Sequence, residues 1–170
     1  MTKRSSLYDQ PNSFGWISIG LHWGTALLLT LLWFVGMSIS LQSADAIDAR
    51  RSLHITIGLI AWLPLAGRIA WRLLKSHPRV PGQSVLTHRL ARTAHYSMLG
   101  VLAIMLLSGP VMAWALPGRT ELAEVAFGFH STAAKVLVAL VLLHIMAALK
   151  HLMFNDDETI ARIFVPRKSE

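Results

Sequence analysis

The chain has 170 residues, 54% of them hydrophobic, with no cysteine and a formal net charge of +7. That is too apolar for an ordinary soluble domain and long enough for several membrane spans. The missing cysteine excludes disulfides, iron–sulfur clusters and covalently attached c-type haem.

Residues 1–13 are polar and read as a short lead-in. Phe14 to Leu41 then runs without a charge, enough to cross a hydrocarbon core that takes about 20 helical residues. It is too long for the apolar part of a cleavable signal and lacks a small-residue cleavage site before a soluble chain, so a permanent span is expected. Trp16 and Trp23 suit a membrane interface, and His22 lies about two turns inside it. Gln42 to Ser52 is a connector of mixed charge. The second span covers residues 53–74, with His54 at its start. Gly58 follows one turn on. A glycine there admits either a flat ring or a closely packed neighbouring helix. Arg68 stands fourteen residues after His54 and shares its face. It either snorkels to the interface or pairs with a buried carboxylate.

Pro78 and Pro81 mark the next connector, Ser76 to Arg92. The third span, residues 93–116, has His95 near its start and a kink expected at Gly109-Pro110. After the loop Pro117 to Gly128, the fourth span covers residues 125–151 and contains His130, Lys135, His144 and His151. His130 and His144 are fourteen residues apart. In an α-helix that is almost four turns, so both point the same way about 21 Å apart. Residues 155–170 read as a soluble, partly helical tail. All four spans form one all-α integral membrane domain, a four-helix bundle in a lipid bilayer.

The charge distribution explains the basic excess without nucleic acid. Lys3 and Arg4, then Arg68, Arg72, Lys75, Arg79, Arg89 and Arg92, then Lys150, Arg162, Arg167 and Lys168 all fall on one side. On the other, Arg50, Arg51 and Arg119 are balanced by Asp45, Asp48, Glu121 and Glu124. The positive-inside rule puts both termini in the cytoplasm.

Topology also gives each histidine a depth. His22 and His144 share the cytoplasmic half, His54 and His130 the periplasmic half. Ionisable residues within spans point to function, and two depth-matched pairs are what two bis-histidine b-type haems need: one neutral imidazole from each of two facing helices. Arg68 then has a haem propionate as one of its two readings. His88 reads as an interface histidine, and His77 has no case. For His95 and His151 an interface role competes with a place beside a quinone or a haem propionate. Lys135 reads as snorkelling outward, with attraction of an anion or electron donor as the other option.

The stretches Ser18-Ile19-Gly20-Leu21-His22-Trp23, His54 with Gly58, Gly67-Arg68, Phe129-His130, Leu143-His144 and Val165-Pro166-Arg167 resemble the bacterial cytochrome b561 family. That family is similar in turn to the cytochrome b subunits of nickel–iron hydrogenases and formate dehydrogenases. The resemblance covers nearly the whole chain. It implies two haems b, ligated by His22 with His144 and by His54 with His130, and a third span that ligates nothing. It also implies electron exchange with quinone as a membrane oxidoreductase, with superoxide a candidate periplasmic donor. A second reading keeps the haems but makes the chain an anchor for a larger dehydrogenase or hydrogenase. The rival of another class is a proton or metal transporter, which should carry carboxylates at depth; the spans contain none.

Overall fold

A backbone that crosses hydrocarbon must satisfy its own hydrogen bonds, and this chain does so as helix. The computed structural model describes residues 7–10, 13–41, 43, 46–75, 84–116, 118, 120–154 and 163–166. Four helices fill most of that: α1 (Trp16–Ile39), α2 (Ile47–Leu74), α3 (Val85–Ala115) and α4 (Thr120–Phe154). Each contains a stretch long and apolar enough to cross a membrane. The molecule is therefore an all-helical, multi-pass membrane protein, and no strand element occurs among the described residues.

Helices α2, α3 and α4 begin before their apolar runs, by six, eight and five residues. The physical reason is that hydropathy marks the slab, whereas a helix continues until its terminal N–H groups find other partners. At α3 that partner is Ser84, whose hydroxyl oxygen accepts from the Thr87 N–H at 3.1 Å. At α2 the extra turn is charged, and Arg51 reaches back to Asp48 at 3.0 Å.

Polarity is distributed for a lipid solvent. Leu27, Phe34, Leu63 and Leu107 point outward, while Ser18, Arg68, Arg72 and Ser108 are buried. The apolar core is small and sits midway along the bundle. Ala61, Leu65 and Leu102 form it, with Leu28, Leu29, Leu32, Ile69 and Leu106 packed around them. Helix α1 packs mainly on α2, and α3 on α4, as two hairpins joined along α2 and α3. Side-chain contacts fix the directions. His22 meets Arg68 while Gly36 meets His54, so α1 and α2 are antiparallel. His95 meets His144 while Ser108 meets His130, so α3 and α4 are too.

Helix α3 runs on through Pro110, where the sequence leads one to expect a kink. Proline has no N–H, so the carbonyl four residues back loses its helical partner. That carbonyl belongs to Leu106, and it accepts the indole N–H of Trp62 from α2 at 3.0 Å. The proline thus creates the acceptor that ties the two hairpins together. Trp62→Phe leaves this carbonyl unpaired in an apolar setting and should lower stability by about 1–3 kcal/mol. Thermal unfolding in detergent measures it. Pro110→Ala in the Trp62→Phe background restores an N–H and should recover most of the loss; no recovery would mean the carbonyl was not the cause.

The polar lead-in is not a loose tail where it is described. Gln10 and Ser13 pair backbone to backbone, and Asp9 lies over the start of α1. There the carboxylate accepts from the Gly15 N–H and the Ser18 hydroxyl, both at 2.8 Å, and from Arg72 Nη1 at 3.3 Å. Trp71 donates to Ser18 Oγ at 2.8 Å, and the Arg72 guanidinium lies 5.0 Å from the Phe14 ring centre. Glycine is required at position 15, because a Cβ would collide with the backbone of Leu7 and Tyr8. At the far end of the chain, residues 163–166 return to α1. Trp23 donates to the Ile163 carbonyl at 2.9 Å and its ring packs on Phe164.

Candidate functional site

The fourteen-residue spacing recurs on every helix. It separates His22 from Gly36 on α1, His54 from Arg68 on α2, His95 from Gly109 on α3 and His130 from His144 on α4. Antiparallel packing turns these eight residues into two levels, each with one residue from every helix. By helical rise the levels lie about 21 Å apart, with the apolar core between them.

At the level nearer the termini, His22 and His144 face each other with ring centroids 6.3 Å apart. Arg68 Nη2 lies 3.4 Å from His22 Nδ1. His95 stands edge-on to His144 with centroids 5.0 Å apart, and its Nδ1 is 2.7 Å from the Ala91 carbonyl. At the other level, His54 and His130 face each other with centroids 6.2 Å apart. A Cβ on Gly36 would come within 3.2 Å of the His54 ring, and one on Gly109 within 3.4 Å of the His130 ring. The two glycines thus make room for the two imidazoles. Ser108 Oγ stands 3.2 Å from His130 Nδ1.

The spacing can be tested against a metal. Two imidazoles on opposite sides of one ion, each bonded at about 2 Å, hold their centroids about 6 Å apart once a ring radius of about 1 Å is added on each side. Both pairs meet that separation. Among the described residues no three His, Asp or Glu side chains converge to hold a bare ion. Each pair therefore offers two nitrogens to a group that brings its own remaining donors, which is the donor set of an axially ligated haem. One orphaned polar atom agrees with this fit. Arg68 Nη1 is buried without a hydrogen bond, and a buried cation within a membrane bundle calls for an anionic partner.

Of the residues singled out from the sequence, His22, His144, His54, His130, Arg68 and His95 come together in these two levels. Gly58 does not touch a histidine; a Cβ there would meet only Leu32 at 3.9 Å. Lys135 is exposed on the outer surface. The side chain of His151 and the whole of His77 lie outside the described residues. Gly36, Gly109 and Ser108 were not anticipated as site residues. The signal for the glycines was present, since the spacing used for α2 and α4 also marks them on α1 and α3.

The model of a family described as prokaryotic cytochrome b561 matches residues 13–166. A relative named cytochrome b561 homolog 2, from Escherichia coli strain K12, is 26% identical over 184 aligned positions, covering 97% of this chain and 98% of the relative.

Proposed function

Because this chain belongs to the prokaryotic cytochrome b561 family, we propose that its transmembrane haem b electron-transfer role runs through two bis-histidine sites. His22 with His144 would hold one haem and His54 with His130 the other. The observation that carries this reading is the pair of centroid separations, 6.3 and 6.2 Å, at two levels of one bundle. Haem iron, when bound, supplies one-electron redox chemistry.

The chain's own residues do the rest. The four imidazoles fix where each group can sit. Arg68 offers a buried guanidinium to a propionate, a charge-assisted contact that answers its orphaned nitrogen. Gly36 and Gly109 keep the space around the second site clear, and the core around Leu65 and Leu102 excludes water between the levels. Following the positive-inside rule, both termini are cytoplasmic, so the His22–His144 level is the cytoplasmic one.

Quinone is the membrane-soluble partner, with His95 beside the cytoplasmic level the first residue to test for it. At the periplasmic face a small donor such as superoxide and a dehydrogenase subunit are the two options. Co-purification of a catalytic subunit would assign the second.

Purified protein reconstituted with haem b should bind two haems per chain and give a reduced-minus-oxidised spectrum of bis-imidazole iron. In proteoliposomes a quinol analogue should reduce it. No haem absorbance would sink the assignment, and a saturating content of one per chain would sink the two-site version.

A further inference from the structure

Ser108 is the buried hydroxyl that the electron-transfer reading leaves unused. Its Oγ lies 2.7 Å from the Ile104 carbonyl and 3.4 Å from that of Met105, and 3.2 Å from His130 Nδ1. A hydroxyl has one proton to give. A carbonyl can only accept, so the short contact to Ile104 takes that proton. The Oγ lone pairs are then what faces His130, and the ring can approach them only as a donor, with its proton on Nδ1. The other ring nitrogen, Nε2, is left with a free lone pair. One backbone carbonyl, relayed through one hydroxyl, thereby favours this tautomer of the imidazole, and the Met105 carbonyl, also in contact with the ring, favours the same one.

Two local features keep the relay rigid. Ser108 is 8% exposed, so water does not compete for its hydroxyl. Gly109, the next residue, lets the Cε1–Nδ1 edge of the ring lie against α3, where a Cβ would sit 3.4 Å from Cε1. Serine followed by glycine thus supplies both the acceptor and the room. At the other level the group nearest His22 Nδ1 is Arg68 Nη2, 3.4 Å away, and not a hydroxyl.

We propose that Ser108 is a positioning residue. It holds His130 as the Nδ1–H tautomer with Nε2 free to ligate, and it tunes the haem of the His54–His130 site alone. This rests on the two-site haem reading above. The partner of a ligating imidazole's remote N–H orients the ring and raises its basicity, and removing it weakens metal binding by about 10–100-fold. A more basic ligand favours the higher oxidation state of the metal, so losing the hydrogen bond raises the midpoint potential.

The test is a redox titration of haem absorbance in Ser108→Ala and Ser108→Thr, resolved into its two components, with haem quantitation. The component belonging to this site is the one that disappears in His130→Ala. In Ser108→Ala that component alone should shift to higher potential, or be lost selectively through weakened retention, and in Ser108→Thr it should return towards its original value. Unmoved potentials in Ser108→Ala overturn the proposal. Equal loss of both haems overturns it too, as does a threonine variant that behaves like alanine, because the hydroxyl would then not be the cause. A wild-type protein without a His130-dependent haem would instead overturn the two-site reading.

Discussion

Replacing His144 by alanine should remove one of two haems and leave the other, and replacing His130 should do the same for the opposite one. The expectation follows from geometry on one helix. The two residues lie on one face of α4 but meet different partners, His22 at 6.3 Å and His54 at 6.2 Å. Each alanine therefore strips one site of one axial ligand and leaves the other site untouched, about 21 Å away along the helix. Reduced-minus-oxidised spectra with haem quantitation would show each single variant at about half the wild-type content. The pairing is read from double variants. His22→Ala with His144→Ala should lose no more haem than either alone, because both act on one site. His22→Ala with His130→Ala should lose both haems. If the first double variant lost both and the second only one, the pairing would be wrong. If neither His130→Ala nor His144→Ala lost haem, the ligand assignment would fall.

Asp9→Ala should destabilise the protein by about 3–5 kcal/mol, the usual result of removing one partner from a buried ion pair. Arg72 and Asp9 side chains are only 3% and 7% exposed. Without the carboxylate, the guanidinium keeps its contact with Phe14 and loses its counter-charge. The Gly15 N–H at the start of α1 and the Ser18 hydroxyl lose their acceptor as well. An anion at that helix N-terminus is also favourable in its own right. Thermal unfolding in detergent measures the loss. Asp9→Ala combined with Arg72→Met removes the orphaned charge together with its partner, and should recover most of the stability. A double variant as unstable as Asp9→Ala would show that the ion pair is not what holds this corner. A single variant within about 0.5 kcal/mol of wild type, the range of ordinary surface changes, would refute the expectation outright.

Much of the architecture was legible because a bilayer makes strong demands on sequence. Long uncharged runs, interface tryptophans and one-sided Lys and Arg respond to a solvent that varies in one dimension, and hydropathy reads that dimension directly. The candidate site was legible for the same reason. Depth is encoded by position along a span, so His22 could be matched with His144, and His54 with His130, without knowing which helices touch. The Asp9 corner was not legible. Asp9, Ser18, Trp71 and Arg72 come from a polar lead-in and two different helices, and nothing local in their sequence marks their meeting. The link from Trp62 to the Leu106 carbonyl was hidden likewise. Pro110 announces a lost helical bond but not which side chain will answer it.

By itself the sequence determined the solvent, the number of spans, the absence of cysteine chemistry and the matched levels of His22 with His144 and of His54 with His130, since each depends only on residue type and position along a helix. Only the tertiary structure decided which residues stand behind those histidines. Gly36 and Gly109 became clearances, Ser108 a hydrogen-bond partner and Arg68 a neighbour of His22 through the rotation and pairing of the helices. Rotation and pairing depend on side-chain packing between distant segments. A periodicity of 3.6 residues says which residues share a face, not what that face will meet.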